Sequence, residues 1–353
     1  MLDMRLRKWA NDNDVLNENQ FGFVKGKSTV DCIFVLTSII DKIIRKENKK
    51  IYCSFIDFKK CFDYVYRNGV WYKLIQQGVS SKMVKMLQSM YYAVKSCVRV
   101  NGVLTDYFDS YMGVKQGEPL SPLLFVFFVN DMYQSLQTDN ADVFTLEEIQ
   151  IYLLLFVDDT VLFSYSKEDL QTLLDKLHSY CINWGISVNT DKTVSMVFKK
   201  GTRPENVDVF YNRIKLKNVS NFTYLGVTLS FNGSFYRAQK ALANQAYKSL
   251  FGLNNLFDMI SLDVTEKIKL FDTMVSPILS YGSEVWGFHT APDIENVHLT
   301  FLKQQLGVHS RTCNNAVYGE YGRFPLLTLR RIRIIKYWIK ITKCPNSLMY
   351  KMM

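Results

Sequence analysis

The stretch from Tyr152 to Phe163 reads YLLLFVDDTVLF, in which Asp158 and Asp159 stand inside an otherwise almost wholly apolar run. Apolar residues on both sides of the acids predict a buried β-hairpin over Ile151 to Ser164 with the carboxylates at its turn. Two carboxylates placed there repel each other and lose hydration, so they need a nearby cation or open water to remain charged. The pair therefore indicates either a cation-binding site or an Asp-Asp turn that reaches solvent.

A second apolar run, from Ile51 to Ile56, ends directly before Asp57, and the residues after it include Lys59 and Lys60. This pattern predicts a strand that ends in an acid and then enters a helix. Together with the acids of the hairpin, Asp57 would supply the oxygen ligands that Mg²⁺ prefers, and water and substrate phosphates would fill its other positions. Two such ions about 3.5–4 Å apart can activate a 3′-oxygen and stabilise a leaving pyrophosphate. Neither segment specifies this chemistry alone, but the two together predict it.

The rest of the chain mixes helical and strand-like patterns, which predicts an α+β fold. The segments with helical apolar spacing are 30–45, 69–90, 120–136 and 167–184. Strands are expected over 193–198 and 221–229, and a hairpin over 97–111 is expected to turn at Asn101-Gly102. Beyond Asn232 the pattern is almost wholly helical, so the shift near 232–236 is the best candidate boundary between lobes.

Positive charge is concentrated at the carboxyl end of the chain. The formal net charge is +10, and the segment from Lys303 to Met353 holds ten Lys and Arg against one acid, Glu320. A near-neutral body with a basic end suits a protein that holds a polyanion, although a solvated basic face explains the same count. The helix predicted from Arg323 to Lys343 fits a nucleic-acid contact surface or, alternatively, a helix that lies on a membrane.

Composition excludes several classes of protein. No apolar run approaches the length that crosses a bilayer, and the first ten residues lack an apolar signal core, so an intracellular globular protein is expected. The 7 cysteines include no C-x-x-C pair, and the 4 histidines complete no zinc pattern with them. We therefore expect reduced, buried thiols and no membrane partner.

Six ordered segments resemble the motifs of reverse transcriptases, and the resemblance spans nearly the whole chain. The run Phe156-Val-Asp-Asp159 resembles the aromatic-x-Asp-Asp signature of these enzymes, and Asp57–Asp63 resembles their first palm motif. The other four are Gln20–Thr29 (late fingers), Gly113–Pro122 (glycine and glutamine), Trp184–Thr193 (lysine) and Phe222–Val227 (primer grip). Beyond them, Pro277–Gly287 and the basic stretch after Arg323 resemble the thumb and post-thumb region of LINE-type (non-LTR) retrotransposon enzymes.

The resemblance implies a polymerase right-hand fold. Partial fingers would cover 1–50, a palm of antiparallel sheet and helices 51–235, and a helical thumb with a basic post-thumb region 236–353. Asp57 and Asp158 would ligate two Mg²⁺ ions (or Mn²⁺), and Asp159 would complete the acidic cluster. Lys192 would protonate the leaving pyrophosphate or at least contact a phosphate.

Further contacts are implied for nucleotide, primer and nucleic-acid backbone. The residues expected to bind the nucleotide are Phe58, Phe62, Gln116 and Gly117, where Phe62 would exclude a ribose 2′-hydroxyl. The residues expected to grip the primer are Tyr224, Leu225 and Gly226. The residues expected to contact nucleic acid are Lys25, Lys27, Arg330, Arg331 and Arg333. Without the resemblance, Phe62 is an ordinary core aromatic, Gln116-Gly117 a plain turn, Lys192 a solvated lysine and 224–226 an edge strand.

The activity implied is RNA-directed DNA polymerisation, with an RNA template, a DNA primer and dNTPs as partners and no obligate protein partner inferable. The alternatives are a non-catalytic, nucleic-acid-binding relic of the palm, and a related polymerase of the group II intron or telomerase type. The earlier fingers motifs are absent, and Val24 and Lys27 stand where the late-fingers motif commonly carries arginine. We therefore expect an open reading frame truncated at both ends.

Overall fold

The computed structural model describes residues 1–138, 144–146, 149–345 and 347–353. The chain divides into two compact units. The first comprises residues 1–32, 49–197 and 205–219, and the second comprises 33–48, 198–204 and 220–353.

The first unit combines helices with a central mixed sheet. Its helices are α1 (Leu2–Asp12), the start of α2 (Thr29–Asp41), α3 (Arg67–Gln76), α4 (Ser81–Tyr91), α5 (Leu120–Val129), α6 (Met132–Leu136) and α7 (Lys167–Trp184). Its strands are β1 (Ile51–Ile56), β2 (Lys95–Ser96), β3 (Arg99–Val100), β4 (Val103–Leu104), β5 (Phe108–Asp109), β6 (Phe144–Leu146), β7 (Ile149–Ile151), β8 (Leu153–Phe156), β9 (Asp159–Ser164), β10 (Val194–Phe198), β11 (Phe210–Tyr211), β12 (Ile214–Lys215) and β13 (Lys217–Asn218).

The central sheet has the strand order β13-β10-β1-β9-β8. Strands β10 and β13 pair parallel, so the expectation of a wholly antiparallel sheet is corrected at β10–β13. Strand β1 pairs antiparallel with β9, so that Ile56 lies opposite Thr160, and β8 pairs with β9 up to the Phe156–Asp159 pair. This register places the end of β1 beside the start of β9. The acids that follow β1 and precede β9 in sequence therefore lie at the same end of the sheet.

The apolar runs are buried as the sequence predicts. Every side chain of α5 except Pro122 is buried, and β1 and β8 carry almost continuous apolar residues because both strands are buried in the sheet. A buried lysine, Lys73, lies among these helices and donates to the carbonyl of Phe128 at 2.6 Å, to Asp131 at 2.6 Å and to the hydroxyl of Tyr180 at 2.7 Å. Burial lowers the pKa of Lys73 to about 8, although the charge of Asp131 opposes the shift.

Several predicted elements are confirmed. Helix α7 has the bounds that apolar spacing predicts, and β1 ends directly before Asp57. The predicted hairpin forms with Val100 opposite Val103, and its turn residues Asn101 and Gly102 both have positive φ, as the favoured two-residue turn requires.

Three predicted helices differ from the observed ones. Residues 57–66 form turns, so the helix expected to bear Lys59 and Lys60 begins only at Arg67. The backbone N–H of Lys59 instead donates to the carbonyl of Ser187 at 2.7 Å, and Lys60 has a positive φ of 44°. The helix expected over 69–90 is interrupted at residues 77–80, where Gly78 has a φ of 93°. The helix expected over 120–136 is likewise interrupted between α5 and α6.

The second unit is helical except for one hairpin. Its strands are β14 (Asn221–Tyr224) and β15 (Val227–Ser230). Its helices are most of α2 with a single π-helical turn at Lys42–Lys46, then α8 (Tyr236–Met259), α9 (Val264–Met274), α10 (Ser276–Leu279), α11 (Ser283–Trp286), α12 (Pro292–Leu306), α13 (Asn314–Glu320), α14 (Leu326–Thr342) and α15 (Leu348–Lys351). The helical character predicted beyond Asn232 is confirmed. Over the part of the chain that the structure describes, no helix combines the length and apolarity needed to cross a membrane.

Candidate active site

The turn of the acidic hairpin is held by the amino-terminal segment of the first unit. The backbone N–H of Phe21 donates to the carbonyl of Leu155 at 2.8 Å, and Leu155 donates to the carbonyl of Asn19 at 2.9 Å. A Cβ on Gly22 would lie 2.6 Å from the backbone nitrogen of Val157, so a glycine is needed for this close approach. Val157 has a φ of 61°, which is unusual for a β-branched residue and marks a turn fixed by its surroundings.

Asp57 is fixed by the loop that precedes β10. The backbone N–H of Asp57 donates to the hydroxyl of Thr193 at 3.2 Å, and its carbonyl accepts from Asn189 at 2.7 Å. The same loop carries Lys192, whose Nζ lies 3.9 Å from Oδ1 of Asp57. Residues separated by more than a hundred positions in sequence thus meet at one end of the sheet.

Negative charge accumulates around Asp159. Its pKa is raised to about 6, first because neighbouring atoms remove water from the carboxyl and then because Asp158 and Asp57 are negatively charged. By surface area Asp159 is an exposed residue, so solvent screens part of this repulsion. The three aspartates expected to act together are therefore close enough to interact electrostatically.

The aspartates do not form a ready-made metal site. Within the described ranges, no three His, Cys, Asp or Glu side chains are grouped so that they could hold a metal ion by themselves. The burial and the neighbouring negative charges that raise the pKa of Asp159 nevertheless fit a divalent cation that takes its remaining ligands from water and phosphate.

Cys61 is a site residue that the sequence did not indicate. Cys61 is buried close to Asp158, and burial together with the charge of Asp158 raises the pKa of the Cys61 thiol to about 12. The thiol therefore stays protonated and can donate to the carboxylate. A cysteine among apolar neighbours is more often inert core, so local sequence carried no signal for this contact.

The segment with Gln116 packs against the residues that follow Asp57. Gln116 donates from Nε2 to Oδ1 of Asp63 at 2.7 Å, and Val114 donates to the carbonyl of Phe62 at 2.8 Å. A Cβ on Gly113 would lie 2.5 Å from the carbonyl oxygen of Asp63. Backbone segments of the protein thus approach each other closely at Gly113, whereas a Cβ on Gly117 would meet nothing within 4 Å.

Arg67 fixes the backbone of the segment that leads to Gln116, and the sequence did not indicate this role. Its guanidinium donates to the carbonyls of Gly113 at 2.7 Å, Ser110 at 2.6 Å and Met112 at 2.9 Å. A buried arginine that satisfies three carbonyls fixes the backbone leading to Gln116. Only the fold identifies those partners, because they lie more than forty residues away.

The two aromatic residues after Asp57 have different surroundings. Phe62 is half-buried, with its ring 5.2 Å from that of Phe125. Phe58 is only 5 % exposed, and its backbone pairs with Val188. The side chain of Phe58 is therefore part of the core and is not available to a nucleotide, which corrects the expectation for that side chain.

The two fingers lysines also differ. Lys25 is exposed, whereas Lys27 donates from Nζ to the carbonyls of Glu18 at 2.6 Å and Gln20 at 3.0 Å. Burial lowers the pKa of Lys27 to about 8. Lys27 thus stabilises the loop of its own segment, so the expected nucleic-acid contact is not supported for it.

The remaining expected contacts lie in the second unit. Tyr224 is 2 % exposed and precedes the two-residue turn of the β14–β15 hairpin, Leu225-Gly226. Arg330 is only 1 % exposed, pairs with Glu295 at 3.4 Å and lies over the ring of Trp286, which corrects the expectation that it contacts nucleic acid.

Two other arginines of α14, Arg331 and Arg333, differ in their surroundings. Arg333 pairs with Glu284 at 3.6 Å and donates to the carbonyl of Ser280 at 3.2 Å, so part of its charge is used inside the unit. Arg331 is exposed and remains available to a partner.

A central sheet that gathers three aspartates at one end, with a lysine beside them, is the arrangement of a nucleotidyltransferase palm. A family model described as reverse transcriptase (RNA-dependent DNA polymerase) matches residues 1–229, and the chain belongs to this family. Its relatives are enzymes of non-LTR retrotransposons, as the sequence motifs predicted.

Three curated relatives illustrate the likeness. The chain is 29% identical to a probable RNA-directed DNA polymerase from transposon BS of Drosophila melanogaster, over 80% of this chain and 31% of the relative. It is 25% identical to the RNA-directed DNA polymerase from mobile element jockey of Drosophila funebris, over 80% and 31%, respectively. It is 27% identical to a Pol polyprotein from the R2 element of Popillia japonica, over 87% and 44%. The chain thus spans less than half of the length of each of these relatives.

Among solved structures, a telomerase from Candida albicans, in complex with a fragment of telomeric RNA, aligns with 92% of this chain and 58% of its own. The TM-score is 0.48 at 16% identity.

Proposed function

We propose that this chain carries the polymerising centre of an RNA-directed DNA polymerase, which adds dNTPs to a DNA primer on an RNA template. The observation that supports this most directly is the coupling of Asp57, Asp158 and Asp159 at one end of the sheet. Such a concentration of carboxylates is unfavourable unless a cation compensates it, and the substrates of nucleotidyl transfer bring cations with their phosphates.

In this proposal Asp57, Asp158 and Asp159 would hold two Mg²⁺ ions, for which Mn²⁺ can substitute. When bound, these ions would polarise the primer 3′-oxygen and stabilise charge on the leaving pyrophosphate. The protonated thiol of Cys61 lies close to Asp158 and would donate a hydrogen bond to its carboxylate. Lys192 is 70% exposed at its side chain, so it is free to reach a phosphate oxygen and donate a proton there.

The nucleotide would be bound by the segment that faces Asp63 and Phe62. Phe62 would select deoxynucleotides because its ring would collide with a ribose 2′-hydroxyl, and the neighbouring ring of Phe125 would restrict its movement. Gln116 would be positioned by Asp63, and Gly117 leaves space for a ligand, since nothing lies near a Cβ at that position. Phe58 would contribute through its backbone alone.

The second unit would hold the template–primer duplex. Tyr224, Leu225 and Gly226 would support the primer end, while Arg331 and, in the first unit, Lys25 would contact phosphates. The proposed lobes remain fingers at 1–50, palm at 51–235 and thumb with the basic region at 236–353. Template, primer and dNTPs are the partners that this assignment requires.

Primer extension tests the proposal. Incorporation of dTTP on a poly(rA)/oligo(dT) duplex with Mg²⁺ or Mn²⁺ is measured for the wild type, for Asp158→Asn and for Asp106→Asn. Asp106 is an exposed aspartate in the β2–β5 ribbon and serves as the matched control. We expect incorporation by the wild type and the control, and its loss in Asp158→Asn.

Two results contradict the proposal. Equal incorporation by the wild type and Asp158→Asn excludes the assigned aspartates. Binding of the duplex without any incorporation by the wild type supports the alternative of a non-catalytic, nucleic-acid-binding palm.

A further inference from the structure

The turn of the β14–β15 hairpin has a backbone conformation that needs external support. Leu225 has a φ of 45° and Gly226 a φ of 81°, so both turn residues lie in the left-handed region. This conformation suits the favoured two-residue hairpin turn, and glycine adopts it freely. Leucine adopts it rarely, and such strain persists only where surrounding contacts hold it.

The support comes from Tyr281, fifty-six residues later in the same unit. Its hydroxyl donates to the carbonyl oxygen of Leu225 at 2.8 Å. A Cβ on Gly226 would lie 2.9 Å from Cε1 of Tyr281, so the ring packs directly on the glycine. The Tyr281 side chain thus hydrogen-bonds to the carbonyl of the strained Leu225 and packs on Gly226.

The contact is reciprocal at the neighbouring residues. Gly282 has a φ of 65°, and a Cβ there would lie 2.9 Å from Cγ2 of Val227. The Tyr281-Gly282 pair and the Leu225–Val227 segment therefore interlock, each using a glycine to let the other approach.

Helix α14 supports Tyr281 indirectly, through Trp286. The indole Nε1 of buried Trp286 donates to the carbonyl of Tyr281 at 2.9 Å, and Arg330 lies over the Trp286 ring. Gly287 allows α14 to pack closely, since a Cβ there would lie 3.2 Å from the Cβ of Arg330. This chain of contacts gives a structural role to the segment Pro277–Gly287, which the proposed function leaves without one.

We infer that Tyr281 is a positioning residue that holds the Leu225-Gly226 turn in the conformation that supports a primer 3′ end. The consequence for polymerisation rests on the proposed function of this turn, but the clamp itself rests on contacts within the second unit. Tyr281 acts on the backbone of the turn and does not touch the substrate.

The test compares Tyr281→Phe with Tyr247→Phe. Both variants remove one hydroxyl from the second unit, and the hydroxyl of Tyr247 lies 3.5 Å from Thr300 Oγ1, away from the hairpin sequence. Hydrogen exchange of the amides from Tyr224 to Thr228 is expected to accelerate roughly 3- to 10-fold in Tyr281→Phe, the range for loss of one hydrogen bond. The control is expected to leave these amides unchanged.

Steady-state extension gives the functional readout. The rate of nucleotide addition is expected to fall by a similar factor in Tyr281→Phe, with the KM for dTTP and the Kd for template–primer unchanged. In a Leu225→Gly background, Tyr281→Phe is expected to accelerate exchange of the turn amides less, because glycine adopts the positive φ without the support of the Tyr281 hydroxyl.

The outcomes separate the clamp from the proposed function. Unchanged exchange in Tyr281→Phe overturns the inference, and so does faster exchange with undiminished extension by an active enzyme. If the wild type extends no primer, the proposed function fails, and the exchange result still decides whether Tyr281 holds the turn.

Discussion

At the scale of single residues, Asp159 combines an expected cost to stability with an expected role in activity. Loss of water around the carboxyl, followed by the charges of two neighbouring carboxylates, raises its pKa to about 6, so the ionised site is unfavourable in the absence of a cation. Replacing one member of such a cluster removes repulsion but also removes a ligand. Stability and function are therefore expected to respond in opposite directions.

We expect Asp159→Asn to stabilise the metal-free protein by about 1 kcal/mol, a figure that allows for solvent screening of an exposed group. Primer extension should be lost in the same variant. Urea unfolding with EDTA measures the first effect, and Asp106→Asn is the control. Added Mg²⁺ should stabilise the wild type more than the variant, and a destabilised Asp159→Asn would contradict the repulsion.

His298 is the second residue whose surroundings make a prediction. It is fully buried and stacks on Phe271 with ring centroids 5.6 Å apart. Burial and the charge of Arg323 lower its pKa to about 4, while Asp272 acts in the opposite sense. The unfolded chain binds a proton near pH 6.5 and the folded chain only near pH 4, so the stabilising effect is present above pH 6.5 and is lost as pH falls towards 4.

Phenylalanine at this position removes the titration. His298→Phe is expected to reduce the loss of stability between pH 6.5 and pH 4 by about 3 kcal/mol. Unfolding free energies across this range test the expectation, with His289→Phe at an exposed position as the control. Parallel pH profiles for the wild type and His298→Phe would show that the imidazole is not responsible.

At the scale of elements, the contact between residues 19–22 and the β8–β9 turn controls where Asp158 lies. Gly22→Ala places a Cβ against the backbone of Val157 and is expected to destabilise the first unit by about 1–3 kcal/mol. Extension should fall as well, because the hairpin must shift. Gly252→Ala in α8 meets no neighbour within 4 Å and is expected to stabilise its helix by about 0.5–1 kcal/mol. Similar effects of both substitutions would contradict the role of close approach.

Two adjacent arginines of α14 have opposite expected roles. Arg330→Ala removes the buried partner of Glu295 and is expected to cost about 3–5 kcal/mol of unfolding free energy. Arg331→Ala changes an exposed residue, so its effect on stability should stay within about 0.5 kcal/mol. Urea unfolding and duplex binding together test the pair. Loss of binding without loss of stability in Arg330→Ala would overturn the structural role.

At the scale of the whole molecule, the basic carboxyl end is also part of a core. Arg323 pairs with Asp272 at 2.6 Å and Arg330 with Glu295, while Leu326 and Ile341 are buried. Removal of the basic carboxyl end would therefore unfold the second unit. A loss of duplex binding in such a truncation could not be assigned to the loss of positive charge. Substitution of exposed basic residues is the informative change.

We expect Arg331→Gln with Lys336→Gln to lower the salt dependence of template–primer binding. Each lost phosphate contact reduces the slope of log Kd against log salt by about 0.9. Lys82→Gln with Lys85→Gln removes the same charge from exposed positions on α4 and is the control. Equal slopes for the two double variants would mean that net charge alone, and not α14, determines binding.

The amino-acid sequence by itself determined several elements and the candidate acids of this protein. Apolar runs that end in Asp57 and in Asp158-Asp159 specify two strands and their termini, and Asn101-Gly102 specifies a turn. The helix Lys167–Trp184 follows from its apolar spacing. These features depend on neighbours within a few residues, so periodicity and turn chemistry are sufficient.

Tertiary structure decided which side chains face a substrate and which hold the protein together. Lys27 and Arg330 look like phosphate contacts in the sequence. In the structure, Lys27 hydrogen-bonds to residues of its own unit, and Arg330 forms an ion pair with a residue of its own unit. Arg67 and Tyr281 look unremarkable, yet each captures carbonyls forty or more residues away. The physical reason is that a charged or polar side chain has the same local pattern whether its partner is protein or ligand. Burial and long-range hydrogen bonds, which arise only when distant segments pack, select between the two.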